Sequence, residues 1–154
     1  MSVTNGWGPY EKDMSNGEQA AGDGRTLTLN GTTYARGLGV HAASDISYTV
    51  PSGCTTFTAA VGIDDEVGSN GNVIFQALVN GSVQFDSGAL TGTSATKTVS
   101  VPVTGGAALR LLVATNGSTD YDHADWADAK LTCGTSGGGN QPPQPTISVG
   151  WPSR

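Results

Sequence analysis

The sequence predicts an all-β domain, and three observations carry that prediction. Only 13% of its 154 residues are charged. It holds 23 glycines among abundant Thr, Ser, Val and Asn, a composition that favours strands joined by tight turns over helices. Apolar residues recur at every second position in short runs, the period of a half-buried strand. A chain of this length forms a single domain, whose one core buries about two-thirds of the unfolded surface.

The turns define the elements. Asn-Gly occurs at residues 5–6, 16–17, 30–31, 70–71, 80–81 and 116–117, and this dipeptide tolerates the positive φ angles of two-residue hairpins. Thr26-Leu27-Thr28-Leu29 runs through Asn30-Gly31 into Thr32-Thr33-Tyr34-Ala35, and Val73 to Val79 runs through Asn80-Gly81 into Ser82 to Asp86. Both read as hairpins. Period-two patterns predict further strands at Ile46/Tyr48/Val50, Phe57/Ala59/Val61/Ile63, Val99/Val101/Val103 and Leu109/Leu111/Val113. A last strand is expected near Ala127 to Cys133. Roughly eight or nine short strands without an amphipathic helix imply two packed antiparallel sheets, a jelly-roll β-sandwich.

Cys54 and Cys133 are the only cysteines, and neither lies in a Cys-x-x-Cys pair. An even count in a lysine-poor, Gly/Ser/Thr-rich domain suits an oxidising compartment, so one disulfide between them is predicted, with two buried free thiols as the alternative. Closing so long a loop stabilises by about 4 kcal/mol in the chain-entropy model.

The module is expected to span residues 1–134. Beyond it, the glycine-rich run to Asn140 and then Gln141-Pro142-Pro143-Gln144-Pro145 form a flexible and then a stiff segment that buries no core, hence a linker. Residues 146–154 are too few to fold alone. They are read as the stub of a neighbouring module, against the alternative of a tail that docks back.

A net charge of −6 argues against a duplex nucleic-acid partner, whose binding depends on Lys and Arg neutralising phosphates. No apolar run approaches the roughly 18 residues that span a bilayer, so no membrane partner is expected. The start lacks the basic and apolar regions of a signal peptide, and the expectation is that Met1 heads a piece of a longer, exported polypeptide.

Three segments, read as loops at one end of the sandwich, hold most of the reactive chemistry: Gly37 to Ala42 with His41, Gly62 to Gly68 with Asp64-Asp65-Glu66, and Asp122-His123-Ala124-Asp125-Trp126-Ala127-Asp128. Adjacent carboxylates destabilise one another unless hydrogen bonds, a cation or a ligand compensate. A carboxylate accepts hydrogen bonds from vicinal hydroxyls, a neutral imidazole donates one and accepts one, and an indole stacks on an apolar ring face. Together these are the parts of a sugar-reading pocket.

The segments GLGVHAASDISY, FTAAVGIDDEVGSNGNVIFQALVNG, FDSG, LRLLV and DHADWADAKL resemble the NPCBM family, carbohydrate-binding module family 51, over residues 7 to 133. The resemblance implies a galactose-binding-like jelly roll that is not itself an enzyme, appended to a secreted bacterial glycoside hydrolase and recognising galactose-type sugars. The matching motifs point to His41, Asp64, Asp65, Glu66, His123, Asp125 and Trp126 as ligand-binding residues. It also raises a structural calcium, with Glu11, Asp13, Asn16 and Asp23 as one place for it, although sugar binding calls for no cofactor and no metal ligands are assigned. A monomer covalently joined to a catalytic module is expected, with weak, roughly millimolar to micromolar sugar affinity.

Structural roles compete at each position. His41 could be a core-edge histidine bonded to a backbone carbonyl, Trp126 a core residue, and Asp64-Asp65-Glu66 a solvated turn. Asp128 is expected to be structural, and Trp7 to pin the N-terminal segment onto the sandwich. Two rival functions remain: a spacer or adhesion module with no occupied sugar site, and a small glycoside-cleaving domain. The second fits poorly, because His41 lacks the His-x-His pairing of metal-dependent cupins and no Gly-x-Ser-x-Gly elbow occurs.

Overall fold

In the computed structural model, residues 1–134 and the backbone of 146–148 are described; the linker expected over 135–145 and the rest of the tail lie outside them. In chain order the strands are β1 (Ser2–Thr4), β2 (Glu11–Lys12), β3 (Leu27–Leu29), β4 (Thr32–Tyr34), β5 (Gly37–His41), β6 (Ser44–Thr49) and β7 (Cys54–Ile63). After a 3-10 turn at Asp65–Val67 come β8 (Asn72–Val79), β9 (Ser82–Thr91), β10 (Lys97–Pro102), β11 (Ala108–Thr115), β12 (His123–Cys133) and β13 (Thr146–Ser148).

Two antiparallel sheets form the sandwich. One runs β1-β6-β11-β8-β9 and the other β10-β7-β12-β5-β2, with β13 pairing along the far half of β12. Alternate residues of both sheets fill the space between them, among them Ile46, Phe75, Leu109 and Leu111 from the first and Leu38, Phe57, Val61 and Trp126 from the second. Both expected hairpins form. Asn30 and Asn80 take φ 49°, and Gly31 and Gly81 take φ 80° and 81°, the two positive angles that a type I′ turn requires. The disulfide joins Cys54 to Cys133 across 79 residues and ties β7 to β12 at their paired ends.

One difference from the sequence reading decides the rest. Gly37–His41 and His123–Asp128 are not loops but adjacent strands, β5 and the first half of β12, in register with His123 opposite His41 and Asp125 opposite Gly39. On its other side Asp125 faces Gly62 of β7. The outward face of this sheet is covered by a third layer, the N-terminal segment and the β3–β4 hairpin. A Cβ on Gly39 would stand 2.7 Å from the Ser15 backbone, and one on Gly62 would stand 3.2 Å from Leu29 Cδ2. Glycine at both positions therefore lets the extra layer lie directly on the strands and bury what lies between them.

Candidate functional site

The alternation of β12 sends Ala124 and Trp126 into the core and His123 and Asp125 to the covered face. Trp126 is 0% exposed, with its ring centroid 5.1 Å from that of Phe75 and 6.4 Å from that of Phe57. The indole thus lies between the two sheets, away from the surface on which the expected stacking against a sugar would occur. Its Nε1 has no hydrogen-bond partner, so the indole acts there as a hydrophobe.

The acidic run separates into two roles. The buried Asp64 receives hydrogen bonds from the backbone amides of Glu66 at 2.9 Å and Thr28 at 3.0 Å, capping the 3-10 turn and pinning β3. Asp65 receives those of Asn30 at 2.9 Å and Gly31 at 2.7 Å, clamping the β3–β4 turn. Both therefore hold the third layer in place. Glu66 alone turns toward the histidines.

Asp125 lies fully buried beneath them. Neither of its oxygens receives a donor from the chain. Burial first, then the hydrogen bond and charge of Asp64, then the charges of Glu66 and Asp65, hold its pKa well above the usual carboxylate range. Its surroundings thus favour the protonated form. Asp125 supports the site from below and is closed off from any ligand.

What the fold brings together is His41, Glu66 and His123, joined by Glu18 from the N-terminal loop. His123 places Nδ1 2.8 Å from Glu66 Oε1 and Nε2 2.8 Å from Glu18 Oε1. Carboxylates only accept, so with both bonds made the ring carries two protons. Burial works against that cation, but the hydrogen bonds and charges of Glu66 and Glu18 outweigh it and raise the pKa of His123. His41 lies with its ring centroid 5.3 Å from that of His123, and its Nδ1 is 2.9 Å from the carbonyl of Ala42.

Glu18 divides two hollows. One, of about 450 Å³, is bounded by Asn16, Arg25, Glu66, Tyr121 and His123; the other, of about 270 Å³, by Trp7, His41, Asp120 and Tyr121. Trp7 is 60% exposed and Tyr121 is 55% exposed. Trp7 thus stands at the rim of the site and does not anchor the terminus in the core. Glu18, Trp7 and Tyr121 carry no local sequence signal as ligand contacts, because their meeting depends on how distant loops fold over β5 and β12.

Of the N-terminal candidates for a calcium ion, Glu11 accepts the amide of Gly22, Asp13 that of Gly37, and Asp23 those of Gln19 and Ala20, while the buried Asn16 Oδ1 has no hydrogen-bond partner. Each acid serves a different stretch of backbone. Among the described residues, the three-ligand grouping is Glu18, His41 and His123, whose ligand atoms lie within 4.8 Å of one another.

The β-sandwich is similar in structure to modules of family CBM51, which makes this chain a carbohydrate-binding module. Residues 1–132 also match the NPCBM/NEW2 domain model. The chain belongs to the NPCBM/NEW2 family.

Among solved structures it is similar to the CBM51 of Clostridium perfringens GH95 in complex with methyl-galactose, at 36% identity and a TM-score of 0.77, covering 85% of this chain and 92% of that one. It is also similar to the CBM51-2 and INT domains of Clostridium perfringens ZmpB in complex with GlcNAc, at 30% identity and a TM-score of 0.74, covering 84% and 29%. A curated relative, alpha-1,3-galactosidase B of Akkermansia muciniphila, is 36% identical over 117 residues, covering 73% of this chain. Another, from Renibacterium salmoninarum, whose name proposes endo-alpha-N-acetylgalactosaminidase activity, is 47% identical over 131 residues. The chain spans only 14% and 9% of the length of these two relatives, and modules of this family occur attached to catalytic domains.

Proposed function

We propose that this module binds galactose-type sugars in the cleft where Glu18 stands between the two hollows. The observation that carries the reading is the combination of His41, His123, Glu18 and Glu66 as hydroxyl partners with Trp7 and Tyr121 exposed at the rim. Two imidazoles on a rigid sheet, with carboxylates from the N-terminal loop and the 3-10 turn, read the difference between an axial and an equatorial hydroxyl, because a misplaced hydroxyl leaves a buried partner unpaired. The aromatic rings supply the apolar face against which C–H groups of a pyranose stack. The similar CBM51 with methyl-galactose bound supports the choice of sugar.

Of the residues expected from the sequence, His41, Glu66 and His123 are proposed as direct contacts. Asp64, Asp65 and Asp125 shape the pocket without touching the sugar. We read residues 135–145 as a linker, after which Thr146–Ser148 pairs with β12, the parent protein as a bacterial secreted glycosidase carrying a catalytic module, and this module as a monomer. The reading calls for no bound ion.

Calorimetric titration of the folded module with methyl-galactoside, methyl-glucoside and GlcNAc tests it. Binding of the galactoside in the millimolar to micromolar range, roughly −4 to −8 kcal/mol, with weaker binding of the glucoside, is expected. A folded module that binds no galactoside overturns the reading.

A further inference from the structure

We propose that Glu18, His41 and His123 also form a site for one divalent transition-metal ion of the Zn²⁺ class, held by Nε2 of each imidazole and by the Glu18 carboxylate. The inference goes beyond sugar recognition and does not depend on which sugar is bound.

The outer partners come first. Metal-bound histidines donate their other ring N–H to a carbonyl or carboxylate, which fixes the ring and strengthens the ligating nitrogen. Here Nδ1 of His41 lies 2.9 Å from the Ala42 carbonyl and Nδ1 of His123 lies 2.8 Å from Glu66 Oε1. Both rings are thereby turned with Nε2 toward the same carboxylate.

An ion pair alone explains His123 but not His41. Nε2 of His41 stands 3.8 Å from Glu18 Oε1, beyond hydrogen-bond range. Two ligands of one zinc ion, each bound at about 2.0–2.1 Å in tetrahedral geometry, are roughly 3.3 Å apart. The 3.8 Å separation and the 2.8 Å between His123 Nε2 and Glu18 Oε1 bracket that value, and all three ligand atoms lie within 4.8 Å of one another, so side-chain adjustment draws them onto one ion.

Glu18 is also placed by its backbone. It adopts φ 70°, a conformation that costs a non-glycine residue and persists where its surroundings impose it. Gly8 packs against it so closely that a Cβ there would stand 2.6 Å from the Glu18 carbonyl carbon. Two imidazoles and one carboxylate suit zinc, cobalt, nickel or copper, whereas calcium takes 6–8 oxygens. The hollows on either side of Glu18 leave room for a water or a sugar hydroxyl in the remaining position.

The chain has only two histidines and no free cysteine among the described residues, so an imidazole-metal signal reports this site alone. Titration of the chain, free of added histidines, with Co²⁺ is expected to give visible d–d absorption that saturates at one equivalent and is abolished by Zn²⁺. Both imidazole resonances are expected to shift in NMR spectra as Zn²⁺ is added. Glu66→Gln, which alters an outer partner, is expected to weaken Zn²⁺ binding about 10–100-fold, and Glu18→Gln and His41→Gln to weaken it further. Circular dichroism establishes that each variant is folded, and Glu18, with its side chain 42% exposed, is the substitution least able to disturb the core. No saturable absorption with the unaltered chain, or absorption that survives both Glu18→Gln and His41→Gln in folded protein, overturns the proposal.

Discussion

His41 on β5 and His123 on β12 face each other directly across one rung of the sheet, and the same Glu18 oxygen approaches the Nε2 of both. This relationship makes the cleft a property of two neighbouring strands and one loop. A strand-mounted pair is held more rigidly than residues on separate loops, which favours discrimination between hydroxyl geometries.

The charge state of His123 follows from that arrangement. Its folded pKa is raised, so it contributes stability that is fully present below the unfolded histidine value and lost as pH rises through the folded one. NMR titration of the metal-free protein is expected to show His123 titrating above an unstructured histidine. Glu66→Gln is expected to bring the midpoint down, and an unchanged midpoint would contradict the assigned cause. The groups facing this ring are Glu18, Glu66 and His41.

Asp125 gives a dependence of the same sign, beginning at the lower pH where an unfolded carboxylate titrates. The folded chain holds a proton that the unfolded chain releases above its ordinary carboxylate range. Its contribution is therefore most favourable in acid and declines as pH rises from the unfolded pKa toward the raised folded one. Asp125→Asn keeps the shape and removes the titratable carboxyl. It is expected to raise the melting temperature at neutral pH and to flatten its pH profile, as measured by calorimetry from pH 4 to 8.

Trp126 and Trp7 are expected to behave in contrary ways. Trp126→Ala removes a fully buried ring and should cost about 3–5 kcal/mol of stability in denaturant titrations. Trp7→Ala should leave stability within about 0.5 kcal/mol while weakening galactoside binding by roughly 3- to 10-fold. Equal loss of stability in both would undo the assignment of Trp7 to the rim.

Glu66→Gln should reduce galactoside affinity with little change in melting temperature, because its backbone amide, not its carboxylate, is what Asp64 holds. A collapse of folding would instead mark the carboxylate as structural.

Replacing Cys54 and Cys133 together by serine should destabilise the module by about 4 kcal/mol, read as a lower denaturation midpoint. Little loss of galactoside affinity is expected in conditions where the variant is folded, since the bond closes the end of the β7–β12 pair away from His123.

The sequence by itself determined what local rules can specify. Alternation along Phe57 to Ile63 and Leu109 to Val113 set which faces are buried, and Asn30-Gly31 and Asn80-Gly81 set two hairpins through their tolerance of positive φ. The family motifs likewise identified a sugar-binding module and brought His41, Glu66 and His123 into view. Only the tertiary structure decided that His123 to Asp128 enters a strand, because its run of polar residues conceals the period-two pattern until a third layer covers the outward face. That covering sends Trp126 into the core, raises the pKa of Asp125 and turns Asp64 and Asp65 to backbone clamps. It also draws Glu18, Trp7 and Tyr121 to the cleft, since contacts between residues more than a hundred positions apart, such as Glu18 with His123, depend on packing and leave no periodic trace in the chain.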